Sequence, residues 1–154
     1  MSGKLAAELR QTKPFASAEE EALLNLERTR EFLHQRLTEF FKPFQLTGTQ
    51  YNILRILRGA GRQGVTCSQA AERMVTADPD VTRLLDRLEA RGLIERERTR
   101  QDRRVVLSRI TAQGLDLLKT IDKPLSAFQR RYMGPLGGAR LAQLIEILES
   151  IRKA

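Results

Sequence analysis

The sequence predicts a mainly α fold that carries one two-stranded β-hairpin. Three observations predict it. Apolar residues recur at helical spacing through most of the 154 residues. Capping residues stand in front of several of these stretches. Strand-like content is confined to Leu93-Ile-Glu-Arg-Glu-Arg98 and Arg104-Val-Val-Leu-Ser-Arg-Ile110, joined by Thr99-Arg-Gln-Asp-Arg103.

Residues 1–16 mix charge with Gly3 and Pro14 and read as a loose arm or a short first helix. Ser17-Ala-Glu-Glu20 is a capping box, in which the Ser oxygen takes an orphan backbone N–H and Glu20 reaches back. No Gly or Pro follows until Pro43, and Leu23, Leu26, Leu33, Leu37, Phe40 and Phe44 fall near one helical face. This predicts a helix over 18–42, about 37 Å long. Thr47 and Gln50 repeat the capping logic before Tyr51, Ile53, Leu54, Ile56 and Leu57, and Gly59, Gly61 and Gly64 end that helix near 58. Thr66-Cys-Ser-Gln69 is a third box. It opens a short helix over 66–75 with Ala70, Ala71 and Met74.

Asp78 as cap and Pro79 as first helical residue predict the next helix over 79–91. Val81, Leu84, Leu85 and Leu88 form its buried stripe, and Gly92 stops it. The hairpin follows, with arginines at 96, 98, 100, 103, 104 and 109 against Glu97 and Asp102. Thr111 caps a further helix (Leu115, Leu117, Leu118, Ile121), which Pro124 kinks or breaks. Met133-Gly-Pro-Leu-Gly-Gly138 is a turn cluster. Leu141, Leu144, Ile145, Leu148 and Ile151 then mark one face of a last helix.

Lys plus Arg number 27 against 19 Asp plus Glu, a net charge of +8, which points to a polyanionic partner, most often nucleic acid. Hydrophobic residues make up 41%, enough for a packed core. Apolar runs reach about three residues, against the roughly 18 that span a bilayer. No apolar signal segment follows Met1, so a cytoplasmic location is expected. One cysteine, Cys67, excludes an intrachain disulfide, and with a single histidine, His34, it excludes a His/Cys zinc site within one chain. There is no Gly-rich phosphate loop, no nucleophile elbow and no histidine pair, so neither an enzyme nor a cofactor is expected.

Three short helices followed by a two-stranded hairpin is the element order of a winged helix-turn-helix. In that module the second helix of the turn motif, here 79–91, enters the major groove of DNA, and the wing follows the backbone or dips into the minor groove. Arg83 and Arg87 can reach phosphates or guanine edges. Thr82 and Asp80 lie in the first turn, where base edges are met. Asp80 either accepts from a cytosine amino group or supports the helix dipole and a neighbouring Arg. Ser68, Gln69, Arg100 and the wing residues Asp102, Arg103 and Arg104 complete the expected DNA-binding set.

The segment from Leu93 to Gly114 resembles the wing of the MarR (multiple antibiotic resistance regulator) family. It has Gly-Leu-Ile, an Arg-rich strand, Asp-Arg-Arg at the tip and Ile-Thr-x-x-Gly before the next helix. Leu46-Thr-x-x-Gln-Tyr51 and Val81-Thr-Arg-Leu-Leu-Asp-Arg-Leu-Glu89 are similar to the family too, and the resemblance covers roughly 18–152. It implies a homodimer, with 1–45 and 112–154 as the dimerisation region and 46–111 as the DNA-binding domain. It implies a transcription regulator, a repressor on a pseudo-palindromic operator, tuned by a small-molecule effector. It also implies that Asp102 orients the wing by pairing with an arginine and that Arg104, or else Arg103, enters the minor groove. His34, Phe41 and Tyr51 fall where the family's effector cavity forms.

Blander readings stand beside these. The wing arginines could be a solvated basic hairpin. Arg83 could pair with Asp80 or Asp86, three residues away on either side, and Arg87 could be plainly solvated. Cys67 reads as structural, His34 as an ordinary surface or interface histidine, and the aromatic residues as core. The alternative function is an architectural or protein-interaction winged-helix protein with non-specific DNA affinity.

Overall fold

In the computed structural model, which describes residues 4–153, the long N-terminal helix begins where the sequence places it. The Ser17 Oγ accepts the Glu20 N–H at 3.2 Å. Glu20 does reach back, but to the Ala16 N–H at 2.6 Å, one residue beyond the cap. Glu19, beside it, has its carboxyl held below the usual range by a hydrogen bond to its own backbone and by Ser17. The chain forms two compact units, Met1–Gly48 and Thr49–Ala154. The expected arm and the outer limits of the expected dimerisation region include residues 1–3 and 154, which lie outside the described residues.

The first unit contains a short helix α1 (Leu5–Glu8) and the long α2 (Ala18–Phe41). Both alternatives for the arm are thus partly realised, since α1 spans one turn and irregular chain follows. Of the 24 residues of α2, only Phe41 is buried, and Leu23 (60% exposed) and Phe32 (45%) lie open to solvent. Pro43 ends the helix in a single 3-10 turn, and Gln45 then takes a left-handed conformation. Phe40 packs edge-on against Phe41, with ring centroids 5.0 Å apart.

The second unit begins one residue into α3 (Gly48–Ala60) and continues with α4 (Cys67–Glu72), α5 (Val81–Ala90), β1 (Ile94–Arg98), β2 (Val106–Ile110), α6 (Ala112–Met133) and α7 (Gly137–Ile151). Its core is Ile53, Leu54, Leu57, Leu85, Leu88, Ile94, Leu118 and Ile121, each almost wholly buried. The strands pair antiparallel, with Ile94 opposite Ile110 and Arg98 opposite Val106. Val65 bridges Ser108, so the chain before α4 lies along the free edge of β2. Thr111 joins the hairpin to α6. Its Oγ1 donates to the Gly92 carbonyl at 2.7 Å and accepts the Gly114 N–H at 3.1 Å.

Four sequence expectations are corrected. First, α4 ends at Glu72, not 75, because the Arg73 and Met74 N–H groups turn back to carbonyls three residues behind and close the helix. Second, α5 starts at Val81, not Pro79. Asp80 is the cap and its backbone is non-helical, so Pro79 stays outside. Third, β2 starts at Val106. Arg104 belongs to a tight turn in which the Val105 N–H bonds the Asp102 carbonyl at 3.0 Å. Fourth, α6 is not broken at Pro124. The helix runs through it, with Ile121 and Leu125 buried on either side. Pro removes one N–H from the ladder, and the packing of its neighbours holds the helix together.

No residue of α7 is buried. Ile145 (56% exposed), Ile147 (56%) and Ile151 (51%) are open, and Leu141, Leu144 and Leu148 are half-buried. No helix among the described residues is long and apolar enough to cross a membrane.

Candidate nucleic-acid interface

The expected DNA-facing residues fall on α4, on α5 and at the wing tip. Thr66 closes a complete capping box. Its Oγ1 accepts the Gln69 N–H at 3.2 Å, and Gln69 Oε1 accepts the Thr66 N–H at 3.0 Å. Gln69 is therefore engaged at the start of α4, and Ser68 beside it is exposed. Asp80 Oδ1 accepts the Arg83 N–H at 3.0 Å, so of the two roles read for Asp80 the geometry shows support of the helix end. Thr82, Arg83 and Arg87 are exposed on the face opposite the buried Val81, Leu84, Leu85 and Leu88. Thr82 Oγ1 lies 3.6 Å from the half-buried Cys67 Sγ, so the tips of α4 and α5 touch.

The arginines divide into two groups. Some are committed to the fold. Arg96 of β1 donates to Asp86 at 2.5 Å and to Glu89 at 2.6 and 2.9 Å, both on α5. Its hydrogen bonds to Glu89 raise the guanidinium's already high pKa further, so its charge is permanent. Arg109 of β2 donates to the Arg62 carbonyl at 2.7 Å and pairs with Glu97 at 3.2 Å. Arg58 of α3 pairs with Asp122 of α6 at 2.9 Å. Others keep their charge open to solvent. The side chains of Arg83, Arg87, Arg100, Arg103 and Arg104 are exposed and hold no ion pair with any described residue. The pairing read as an alternative for Arg83 is not seen, because Asp80 caps the helix and Asp86 takes Arg96.

At the wing tip, Thr99 Oγ1 donates to the Asp102 carbonyl at 2.7 Å, and Arg98 donates to the Arg103 carbonyl at 2.9 Å. Asp102 orients the tip through the backbone and not through an arginine side chain. Its Oδ1 accepts the Arg104 N–H at 2.9 Å. Arg98, Thr99, Arg100 and Arg103 line an open cleft of about 390 Å³. Three of its four lining residues are cationic, which suits an anion such as a phosphate.

Sequence reading did not single out four residues that shape this region. Arg96 was visible only as one of six basic wing residues, because its partners lie on a different element. Arg98 and Thr99 shape the tip. Asn52 is a polar residue inside the apolar stripe of α3, which is the one signal that marks it. Among the expected effector residues, His34 is exposed and Phe41 buried on α2, and Tyr51 is half-buried on α3. Burial pushes the Tyr51 phenol upward, against the pull of nearby Arg58. Among the described residues no group of His, Cys, Asp and Glu could hold a metal ion.

Helix-turn-helix, wing and free basic face together define a winged helix-turn-helix protein. The MarR family model matches residues 44–105. A MarR transcription factor from Planctomyces limnophilus is 40% identical, with a TM-score of 0.69, and the match covers 88% of this chain and 98% of that one. The chain belongs to the MarR family of transcription regulators. It is also similar to the HTH-type transcriptional regulator PapX of Escherichia coli, 26% identical over 116 residues, covering 75% of this chain and 68% of PapX. CouR from Rhodococcus jostii, whose structure holds p-coumaroyl-CoA, is 25% identical with a TM-score of 0.74, covering 89% of this chain and 95% of CouR.

Proposed function

We propose that the protein is a homodimeric, sequence-specific DNA-binding repressor that acts in the cytoplasm and has no catalytic activity. Residues 46–111 would read DNA, and 1–45 with 112–154 would form the dimer. The observation that carries this reading is the division of the arginines. Acids nearby neutralise Arg96 and Arg109, while Arg83, Arg87, Arg100, Arg103 and Arg104 keep their charge for a partner. In this reading Thr82, Arg83 and Arg87 meet base edges and phosphates in the major groove, with Ser68 and Gln69 at its border. Arg104 or Arg103 enters the minor groove, Asp102 sets the turn that presents them, and Arg100 adds phosphate attraction.

A second copy would cover the open apolar faces of α2 and α7, where Leu23, Phe32, Ile145, Ile147 and Ile151 are exposed. Two-fold symmetry then sets half-sites about 10 bp apart. A small-molecule effector would shift the spacing of the two α5 helices, a reading supported by the bound p-coumaroyl-CoA of CouR. Selection of sites from random duplex DNA at near-physiological salt tests the reading. An inverted repeat is expected. Binding without any enriched motif would favour the architectural alternative.

A further inference from the structure

We propose that Asn52 is a positioning residue for DNA reading, and that from the core of α3 it fixes the turn that delivers the first turn of α5 to the bases. This rests on the DNA-reading function proposed above. Asn52 is 8% exposed, and its Oδ1 accepts the Val75 N–H at 2.8 Å. It stands beside Ile53 and Leu54, both fully buried, so the acceptor is carried on a rigid frame.

The chain between α4 and α5 needs such a frame. It contains no glycine and has no regular structure. Val75 leaves 83% of its surface open and so does not anchor the stretch by packing. Three side-chain acceptors hold this stretch instead. Asp78 Oδ1 takes the Asp80 N–H at 2.8 Å, and Asp80 Oδ1 takes the Arg83 N–H at 3.0 Å. Both of these bonds are local. The Asn52 bond spans 23 residues, and of the three it alone ties the turn to another helix. Seven residues beyond Val75 comes Thr82, at the front of the exposed face of α5.

Core stability does not explain an asparagine at this place. Burying an amide is unfavourable unless it is hydrogen-bonded, and an apolar side chain would pack there without that requirement. What Asn52 supplies that an apolar residue cannot is an acceptor aimed at one backbone N–H. Placement errors of about 1 Å at a reading surface weaken specific contacts while leaving diffuse phosphate attraction intact.

The test compares the full-length wild type with Asn52→Leu, which loses the acceptor, and Asn52→Asp, which keeps it. Each is measured against the operator recovered by selection and against random duplex at the same salt. Asn52→Leu is expected to lose about tenfold in specific affinity with non-specific affinity unchanged, a loss of the size of one hydrogen bond. Asn52→Asp is expected to restore most of the loss. An unchanged specificity ratio in Asn52→Leu, or equal losses in both variants, overturns the proposal. Hydrogen exchange of the Val75 amide in the wild type covers the case in which Asn52→Leu does not fold. Slow exchange is expected, and exchange at the rate of a free loop overturns the proposal. If the wild type itself selects no motif, the DNA-reading function fails, and the failure is recorded before any variant is compared.

Discussion

Arg96 of β1 and Glu89 of α5 are joined by two hydrogen bonds to one carboxylate oxygen, at 2.6 and 2.9 Å. The wing is therefore fastened to the helix proposed to read the major groove. Asp86 takes the same guanidinium, so the contact spans a turn of α5.

Removing this fastener has a measurable consequence. The Arg96 side chain is 23% exposed and meets two acids. Its hydrogen bonds are charge-assisted and half-sheltered, so Arg96→Ala is expected to destabilise the fold by about 2 kcal/mol. For a chain of this size that lowers Tm by roughly 4–8 °C, readable by thermal circular dichroism. Arg96→Lys recovers part of the loss, because a single ammonium cannot reproduce the planar fork.

Arg83 and Arg104 are expected to differ in kind. Arg83→Ala should relax base preference at one position of each half-site, with a loss of about 1–3 kcal/mol against the preferred base. Arg104→Ala should weaken all sites more evenly and lower the salt slope by about one. Binding isotherms at several salt concentrations on matched and substituted operators separate the two effects. Equal, purely salt-dependent losses would assign both residues to phosphate contact.

Gly114 is required by space. A Cβ there would overlap the Leu93 carbonyl oxygen and come within 2.7 Å of Ile110 Cγ1. Backbone cannot yield as a flexible side chain can. Gly114→Ala is therefore expected to cost about 1–3 kcal/mol through forced shifts where α6 leaves the hairpin, measured by urea unfolding. Gly48, at the start of α3, has open space and serves as a control. Gly48→Ala should not destabilise by overlap.

Tyr51 gives a prediction in alkali. Its folded pKa is raised above 10.0, first by burial and then by Asp122, with Arg58 and Arg55 opposing. The folded state thus holds the phenolic proton more tightly than the unfolded chain does. This contribution is fully present below the unfolded pKa and is lost as pH rises through the folded value. Stability should fall above about pH 10 more steeply in the wild type than in Tyr51→Phe, as read from melting temperatures across that range.

Local signals were legible in the sequence and distant partners were not. The Thr66 box, the stop before Pro43 and the buried stripe of α5 follow from residues a few positions apart, where spacing alone decides the geometry. The start of α5 was misread because Asp78-Pro79 and Asp80 both offer a cap, and the choice between them depends on a backbone conformation that spacing does not reveal. Pro124 was expected to kink or break α6, yet tertiary packing of Ile121 and Leu125 carries the helix past it. Arg96 with Glu89, Arg58 with Asp122 and Asn52 with Val75 join different elements, and no periodicity marks such pairs. The free arginines could be named from sequence, but their freedom could not. It depends on which acids are already taken.

The exposed face of α5 and the wing tip are proposed to read a DNA sequence. The most direct test is the ratio of affinities of the purified protein for its selected operator and for random duplex, measured at one stated, near-physiological salt concentration. A ratio of about 10³ or more is predicted, as for specific protein–DNA complexes. A ratio near one, with both affinities falling together as salt rises, would contradict it.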